Sequence, residues 1–456
     1  ITGIEINKSI FRVYDNAGME HKQDYTKDGI YEIDYTANEG ANKIYFYVVG
    51  GNMGQLENPI TIEQLPIYPG ALVFDGVDDY GVCNNFPVLT KEKGYTVVAL
   101  RQWTEEKNDS TALVSNCKNW NQDGAFLFEY NNLRINFLNV AISFGHVSSV
   151  DRGKSPFSYQ TSKLYNGKNI EPGSLIGSNE LIVGKGNKDF LTFSKAAIWE
   201  LVFLDHDATE EELTKIKDYF VKTYPWLFPD QAWTVTGKTN EDEDRATIAN
   251  ITGNGNDLVL SNFGFIEGSG YNEEGQYAGY LVTDGVDDKI ESKQPFQLPI
   301  KFSMIGSWVF IKKEDKRAGI SKENNLIVYD KITGLTLFLN SVESYEEIDI
   351  DSFHAISSDG KLYDENWNML PITVGSLLSD SSTLKIAYDG NNFVQFAFNC
   401  MGFYDKILKK DDLLKGWIYL KGLKAQRIPP SKNYILKEDG GYVLQEDGNK
   451  ILTEQQ

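Results

Sequence analysis

The chain is 456 residues long, carries a formal net charge of −21 at pH 7, and is 41% hydrophobic and 13% aromatic. At about 150 residues per domain it is too long for one core and holds roughly three. The negative charge repels phosphate backbones and anionic headgroups, so nucleic acid is not an expected partner, whereas cations and neutral ligands are.

Tyr, Phe, Val, Ile and Thr outweigh Ala, a composition that leans toward an all-β fold. No apolar run approaches the roughly 18 residues that cross a bilayer as a helix, so membrane insertion is not expected. A start at Ile1, without Met or a signal-like segment, reads as a processed or trimmed N-terminus.

Residues 1–68 alternate apolar and polar side chains in short runs: Ile10-Phe11-Arg12-Val13-Tyr14, Ile30-Tyr31-Glu32-Ile33-Asp34-Tyr35 and Lys43-Ile44-Tyr45-Phe46-Tyr47-Val48-Val49. Gly and Asn turns separate them, which predicts a small antiparallel Ig-like sandwich with its last strand at Pro59-Ile60-Thr61-Ile62. Pro66, Pro69 and Gly70 make a stiff linker.

Residues 69–229 are the next unit, with predicted strands at 95–100, 124–130, 133–137 and 197–205. A helix follows: Thr209 is its N-cap, Glu212 completes a capping box, and Leu213, Ile216 and Phe220 form its apolar face before Pro225 ends it. Residues 230–427 open with a turn-rich leader, Trp233 to Tyr271, that contains the strand Leu258-Val259-Leu260. Predicted strands at 302–308, 335–339 and 401–405 come next, and then a helix with Leu413, Trp417 and Leu420 on one face. Residues 428–456 repeat Ile435-Leu436-Lys437-Glu438-Asp439-Gly440 as Val443-Leu444-Gln445-Glu446-Asp447-Gly448 and begin a third round at Ile451. That tail reads as a short β-meander, too small to stand alone, that packs on the preceding unit or on other chains.

One phrase links the middle units. Leu72-Val73-Phe74-Asp75-Gly76-Val77-Asp78-Asp79 returns as Leu281-Val282-Thr283-Asp284-Gly285-Val286-Asp287-Asp288, and the parts that follow keep the same order, which marks a duplicated domain. The phrase, the closing strands Phe203-Leu204-Asp205 and Phe403-Tyr404-Asp405, and the capped helix ending near Lys222-Thr223-Tyr224 resemble the bacterial laminin-G-like, or concanavalin A-like lectin, superfamily. The resemblance implies two jelly-roll sandwiches, each closed by a short helix, whose usual role is binding glycans or proteins. The leader segments Gly237-Lys238-Thr239-Asn240 and Leu258 to Phe263, with the Leu-x-Glu-Asp-Gly tail, are similar to surface proteins of Bacteroidales phages and prophages. This implies a fibre or tail-associated adhesin on a virion surface or outside the cell, in contact with other virion proteins and forming a homotrimer.

Asp75, Asp78 and Asp79, with Asp284, Asp287 and Asp288, offer the hard oxygen ligands that Ca2+ takes. The competing reading is structural, because Asp-Gly is a common hairpin turn and Asp side chains in turns cap their own backbone. Sugar binding needs an aromatic platform beside amide or carboxylate partners. Two loops supply one: Asn119-Trp120-Asn121-Gln122-Asp123 and Asp364-Glu365-Asn366-Trp367-Asn368. Trp103, Trp199, Trp308 and Trp417 instead follow element periodicity and belong in cores.

A hint of catalysis lies at Glu347-Ile348-Asp349-Ile350-Asp351, similar to the Glu-x-Asp-x-Glu of laminarinase-type glycosidases. Retaining chemistry wants carboxyls about 5 Å apart, and positions i and i+4 of a strand are about 13 Å apart along the backbone. Asp351 is also one methylene short of the family's acid/base. Solvent-facing carboxylates are therefore expected, and no enzyme. Cys83, Cys117 and Cys400 lack metal-ligand spacing and read as small buried hydrophobes. The scattered His21, His146, His206 and His354 propose no zinc site. The whole points to a non-enzymatic adhesin for a cell-surface glycan or glycoprotein; alternatives are a purely structural virion decoration protein and a secreted glycoside hydrolase.

Overall fold

The computed structural model describes residues 1–425 except 6–7, 32, 34, 50–58, 91, 105–110, 117–125, 130–133, 136–141, 144–154, 170–177, 187–192, 312–316, 323–324, 331–333, 340–341, 345–352, 365, 372–380 and 389–391. The tail repeats lie outside the described residues. Among the described residues the chain is all-β, with every strand pairing antiparallel, apart from two helices, α1 (Glu210–Thr223) and α2 (Lys410–Gly422), and a 3-10 turn at Pro225–Leu227.

The N-terminal unit is a three-stranded sheet in which Ile10–Asp15 lies between Gly18–Tyr25 and Ile44–Val49. Alternation in Ile10–Asp15 buries Phe11 and Val13 on one side, as a period of two requires. The strand expected at 30–35 does not form among its described residues. Its side chains are engaged elsewhere: the Tyr35 hydroxyl donates to Asp15 Oδ2 at 3.0 Å, and Ile30 packs into the aromatic cluster between the two larger units. Thr61 makes only an isolated bridge to Thr2.

The two larger units are sandwiches with the same strand order. In the first, one sheet runs Lys168–Asn169, Leu164–Tyr165, Phe157–Thr161, Thr96–Trp103, Lys195–Leu204, Leu72–Asp75, and the other runs Gly81–Cys83, Leu181–Val183, Val114–Ser115, Leu127–Phe128. In the second, the corresponding order is Met369–Pro371, Lys361–Asp364, Phe353–Ser357, Ser303–Phe310, Phe396–Tyr404, Tyr280–Val282, and opposite it Lys289–Ser292, Lys385–Ile386, Arg317–Ser321, Asn325–Asp330. Even the irregularities recur. The pairing of the central and closing strands slips by one residue at Trp199 in the first copy and at Asn399 in the second.

A hydroxyl at the start of each central strand ties down the turn into the helix. The amide of Ala208 donates to Thr96 Oγ1 at 2.7 Å, and that of Leu408 donates to Ser303 Oγ at 2.9 Å. The capping box at Thr209 and Glu212 forms as its spacing predicts.

The leader, Gln231 to Asn272, is the main difference between the copies. Its strands Gln231–Thr234 and Gly270–Asn272 join one sheet of the second sandwich, and Thr247–Ile248 and Leu258–Ser261 join the other.

Each sandwich has its own core, and a third core lies between them. Central-strand residues Val97, Ala99 and Trp103 face inward, whereas Val98 and Leu100 face a cluster that also holds Phe220 of α1 and Leu413, Trp417 and Leu420 of α2. Tyr419 of α2 meets Trp199 and Trp226 edge-on at 6.0 and 5.7 Å and donates its hydroxyl to Gln102 Oε1 at 2.8 Å. Such edge-to-face pairs contribute about 0.5–1.5 kcal/mol each beyond the area they bury. The four tryptophans assigned to cores by periodicity are buried, and so is Cys400, but Cys83 is exposed because its strand is an outer edge.

Candidate functional site

The repeated acidic phrase forms an arch in both copies. It was expected to be a hairpin turn, but its flanking strands belong to opposite sheets: Leu72–Asp75 pairs with Lys195–Leu204, and Gly81–Cys83 pairs with Leu181–Val183. The chain therefore crosses the sandwich rim at the phrase. Gly76 and Gly285 allow the bend with φ of 80° and 76°, a region L side chains rarely adopt.

The acids hold this arch through their own backbone. Asp75 Oδ1 accepts from Val77 N at 2.7 Å and Asp79 Oδ2 from Asp75 N at 3.1 Å; in the second copy Asp284 Oδ1 accepts from Val286 N and Asp288 Oδ2 from Asp284 N, both at 2.7 Å. The same folding gathers the carboxylates. Ligand oxygens of Asp75, Asp78 and Asp79 lie within 4.8 Å of one another, and so do those of Asp284, Asp287 and Asp288. Either cluster could contribute three of the six to eight oxygens that Ca2+ takes.

The clusters differ in their surroundings. All three acids of the first are exposed, whereas Asp288 is buried under the leader and receives Ser269 Oγ at 3.1 Å. Burial, with like charge from Asp284 and Asp287, pushes the Asp288 carboxyl up to about 6 against the hydrogen bonds that favour its anion. The first cluster is thus the open, solvated one, and the second is part of a covered seam.

Of the two loops proposed for sugar stacking, Asn119, Trp120, Asn121 and Asp123 lie outside the described residues. The second is a tight turn between Lys361–Asp364 and Met369–Pro371, in which Asp364 Oδ1 accepts from the amides of Asn366 and Asn368, each at 2.8 Å. Trp367 does not present a stacking face. With φ of 61° its ring turns inward onto His354, Tyr363 and Trp417, at centroid distances of 5.7, 5.9 and 5.9 Å, and only 2% of the residue is exposed. The apolar cluster above α2 wins over solvent because an indole buried there removes a large aromatic area from water. Asn366 and Asn368 stay at the surface, so the loop keeps polar groups without a platform. Glu347, Asp349 and Asp351 lie outside the described residues.

A buried polar network inside the first sandwich carries no signal in the sequence. Arg101 forms a bidentate pair with Glu129, with Nε to Oε2 at 2.8 Å and Nη2 to Oε1 at 2.6 Å, and the Trp103 indole donates to Oε2 at 2.6 Å. Burial alone would raise the Glu129 carboxyl, but the guanidinium and these donors hold it below the usual carboxylate range. Glu129 occupies φ 54°, and the pair pins it there. In the second sandwich the equivalent of Arg101 is Trp308, in identical register against the closing strand. With an apolar residue standing in for Arg101 there, the pair reads as a structural element of one copy.

No family model matches the chain and no curated protein does. Among solved structures, the sialidase of Trypanosoma rangeli aligns over 59% of this chain and 48% of its own, at 10% identity and a TM-score of 0.30, so the match spans about half of that enzyme. The binding domain of botulinum neurotoxin serotype G aligns over 75% of this chain and 95% of its own, at 11% identity and a TM-score of 0.26. At these TM-scores neither similarity assigns a ligand or an activity to this chain.

Proposed function

We propose that the chain is a non-enzymatic adhesin that recognises a cell-surface glycan or glycoprotein, as a surface or fibre component of a phage or phage-like particle. The observation that carries this reading is the sandwich built twice and joined through a common aromatic core, with rim segments that differ between the copies. Such a scaffold holds two sets of loops at fixed separation without needing either to be catalytic, and binding residues concentrate on loops held by a rigid frame. Trp120, with Asn119, Asn121 and Asp123 beside it in sequence, is the aromatic candidate for stacking on a pyranose. The exposed Asp75, Asp78 and Asp79 could bring in Ca2+ as a bridge to sugar hydroxyls.

A glycan array probed with the full chain, in calcium and in chelator, tests the reading. Binding to a defined glycan class, weakened about tenfold or more by Trp120→Ala, is the expected result. A folded protein that is silent across the array would favour particle decoration, and hydrolysis of a bound β-glucan would make it an enzyme. Light scattering on the same sample reports whether the chain is the trimer that a fibre component implies.

A further inference from the structure

The two sandwiches differ in one flank, and the second shows what the first lacks. The strand Leu72–Asp75 and its counterpart Tyr280–Val282 pair with the closing strand in the same register: Leu72 opposite Ile198 and Leu281 opposite Phe398. In the second copy Gly270–Asn272 adds to the far side of that strand and Leu258–Ser261 adds to Lys289–Ser292, so both sheet edges next to the arch are covered. In the first copy Leu72–Asp75 and Gly81–Cys83 are the outermost strands of their sheets among the described residues. Exposure records the difference. Leu72 and Val73 are 64% and 46% exposed, whereas Leu281 and Val282 are 0% and 2% exposed. Tyr80 and Val82, at 50% and 41%, extend the bare apolar surface across the arch.

Edge strands in native sheets are normally protected by charge, proline, a bulge or a covering segment. Leu72-Val73-Phe74 carries none of these, and the one charge of the strand is Asp75 at its arch end. We propose that this open flank of the first sandwich is a strand-acceptor site for an extended segment of a partner polypeptide, which adds antiparallel to Leu72–Asp75 as Gly270–Asn272 adds to Tyr280–Val282. Main-chain hydrogen bonds would hold such a segment, and side-chain positions would select it.

The second copy also indicates the chemistry of the occupant. Its covering segment places Tyr271 opposite Leu281 and directs the Ser269 hydroxyl at Asp288, while Asn262 Nδ2 donates to the Asp287 carbonyl at 3.0 Å. The matching acids of the first copy, Asp75, Asp78 and Asp79, are all exposed and gathered within 4.8 Å. The segment that fits is therefore apolar opposite Leu72 and carries a lysine or arginine where the second copy has Ser269, so that its cation meets three carboxylates.

The test is hydrogen exchange on the full chain with a synthetic peptide of residues 264–274, Gly264 to Glu274, and with its Ser269→Lys form. The expected result is exchange at Leu72–Asp75 slowed about tenfold by saturating peptide. The lysine form should bind about fivefold tighter than the serine form at low ionic strength, an advantage lost in high salt and in the Asp78→Asn protein. A Leu72→Lys, Val73→Lys protein, altered only at exposed side chains, should keep its unfolding midpoint and lose the protection. Three results would overturn the proposal: no protection at millimolar peptide, protection without peptide in a monomer, and protection without peptide in a species of twice the monomer mass. The last would make a second copy of the chain the occupant.

Discussion

Glu129→Gln is the sharpest perturbation of the first sandwich. It removes one charge and almost no volume, leaving the Arg101 guanidinium, 1% exposed, without its counter-ion and with an amide in place of one acceptor oxygen. Breaking a buried pair from one side costs about 3–5 kcal/mol, because the remaining charge keeps its desolvation penalty and loses its compensation. At about 2–4 °C per kcal/mol for a unit of this size, the melting temperature should fall by roughly 6–20 °C. Replacing both partners should behave differently. Arg101→Met with Glu129→Leu removes both charges and leaves the Trp103 indole N–H without its acceptor, so it should cost about 1–3 kcal/mol, less than the sum of its two single changes. Denaturant unfolding followed by tryptophan fluorescence on Arg101→Met, Glu129→Leu and the double variant gives the coupling directly. A loss below about 1 kcal/mol for Glu129→Gln would refute the reasoning, since it would mean the pair is hydrated in solution. So would a double variant as damaged as the sum of the singles.

Acid should act on the two copies in different windows. Glu129 has a folded pKa below its unfolded value, so its contribution is full above about 4.5 and is lost as pH falls through the folded value. Asp288 is the reverse: raised to about 6, it favours the folded state most below about 4 and loses that contribution as pH rises to about 6. Melting temperatures of Asp288→Asn and parent protein should therefore converge at low pH and separate across this interval. Asp78 receives no backbone hydrogen bond among the described residues, unlike Asp75, so Asp78→Asn should change stability by less than about 0.5 kcal/mol while Asp75→Ala costs about 1 kcal/mol. A calcium titration of the same variants separates the cation role from the turn role. Tyr419→Phe leaves Gln102 Oε1 buried without its donor, costs about 1–3 kcal/mol, and should split a single calorimetric transition if the shared core is what couples the sandwiches.

The sequence by itself determined the class and the duplication. Alternation through Ile10–Asp15, the capping box at Thr209, and the repeated Asp-Gly-Val-Asp-Asp are local records of strand period, helix start and ancestry, and local signals survive without knowledge of partners. Tertiary structure decided everything that depends on which element lies opposite. The acidic phrase has hairpin chemistry, yet it is an arch, because the choice between the same sheet and the opposite sheet is made by the closing strands Lys195–Leu204 and Phe396–Tyr404 far along the chain. Trp367 has the neighbours of a binding-loop tryptophan, yet it is buried, because α2 delivers Trp417 to it from fifty residues later. Nothing local marks Arg101 and Glu129 as partners 28 positions apart, yet they are a buried pair. Leu72-Val73 and Leu281-Val282 are the same dipeptide, one bare and one covered, because only the second has a leader folded over its edge. Periodicity states which side chains seek burial; long-range strand pairing determines what they are buried against and which edges stay open.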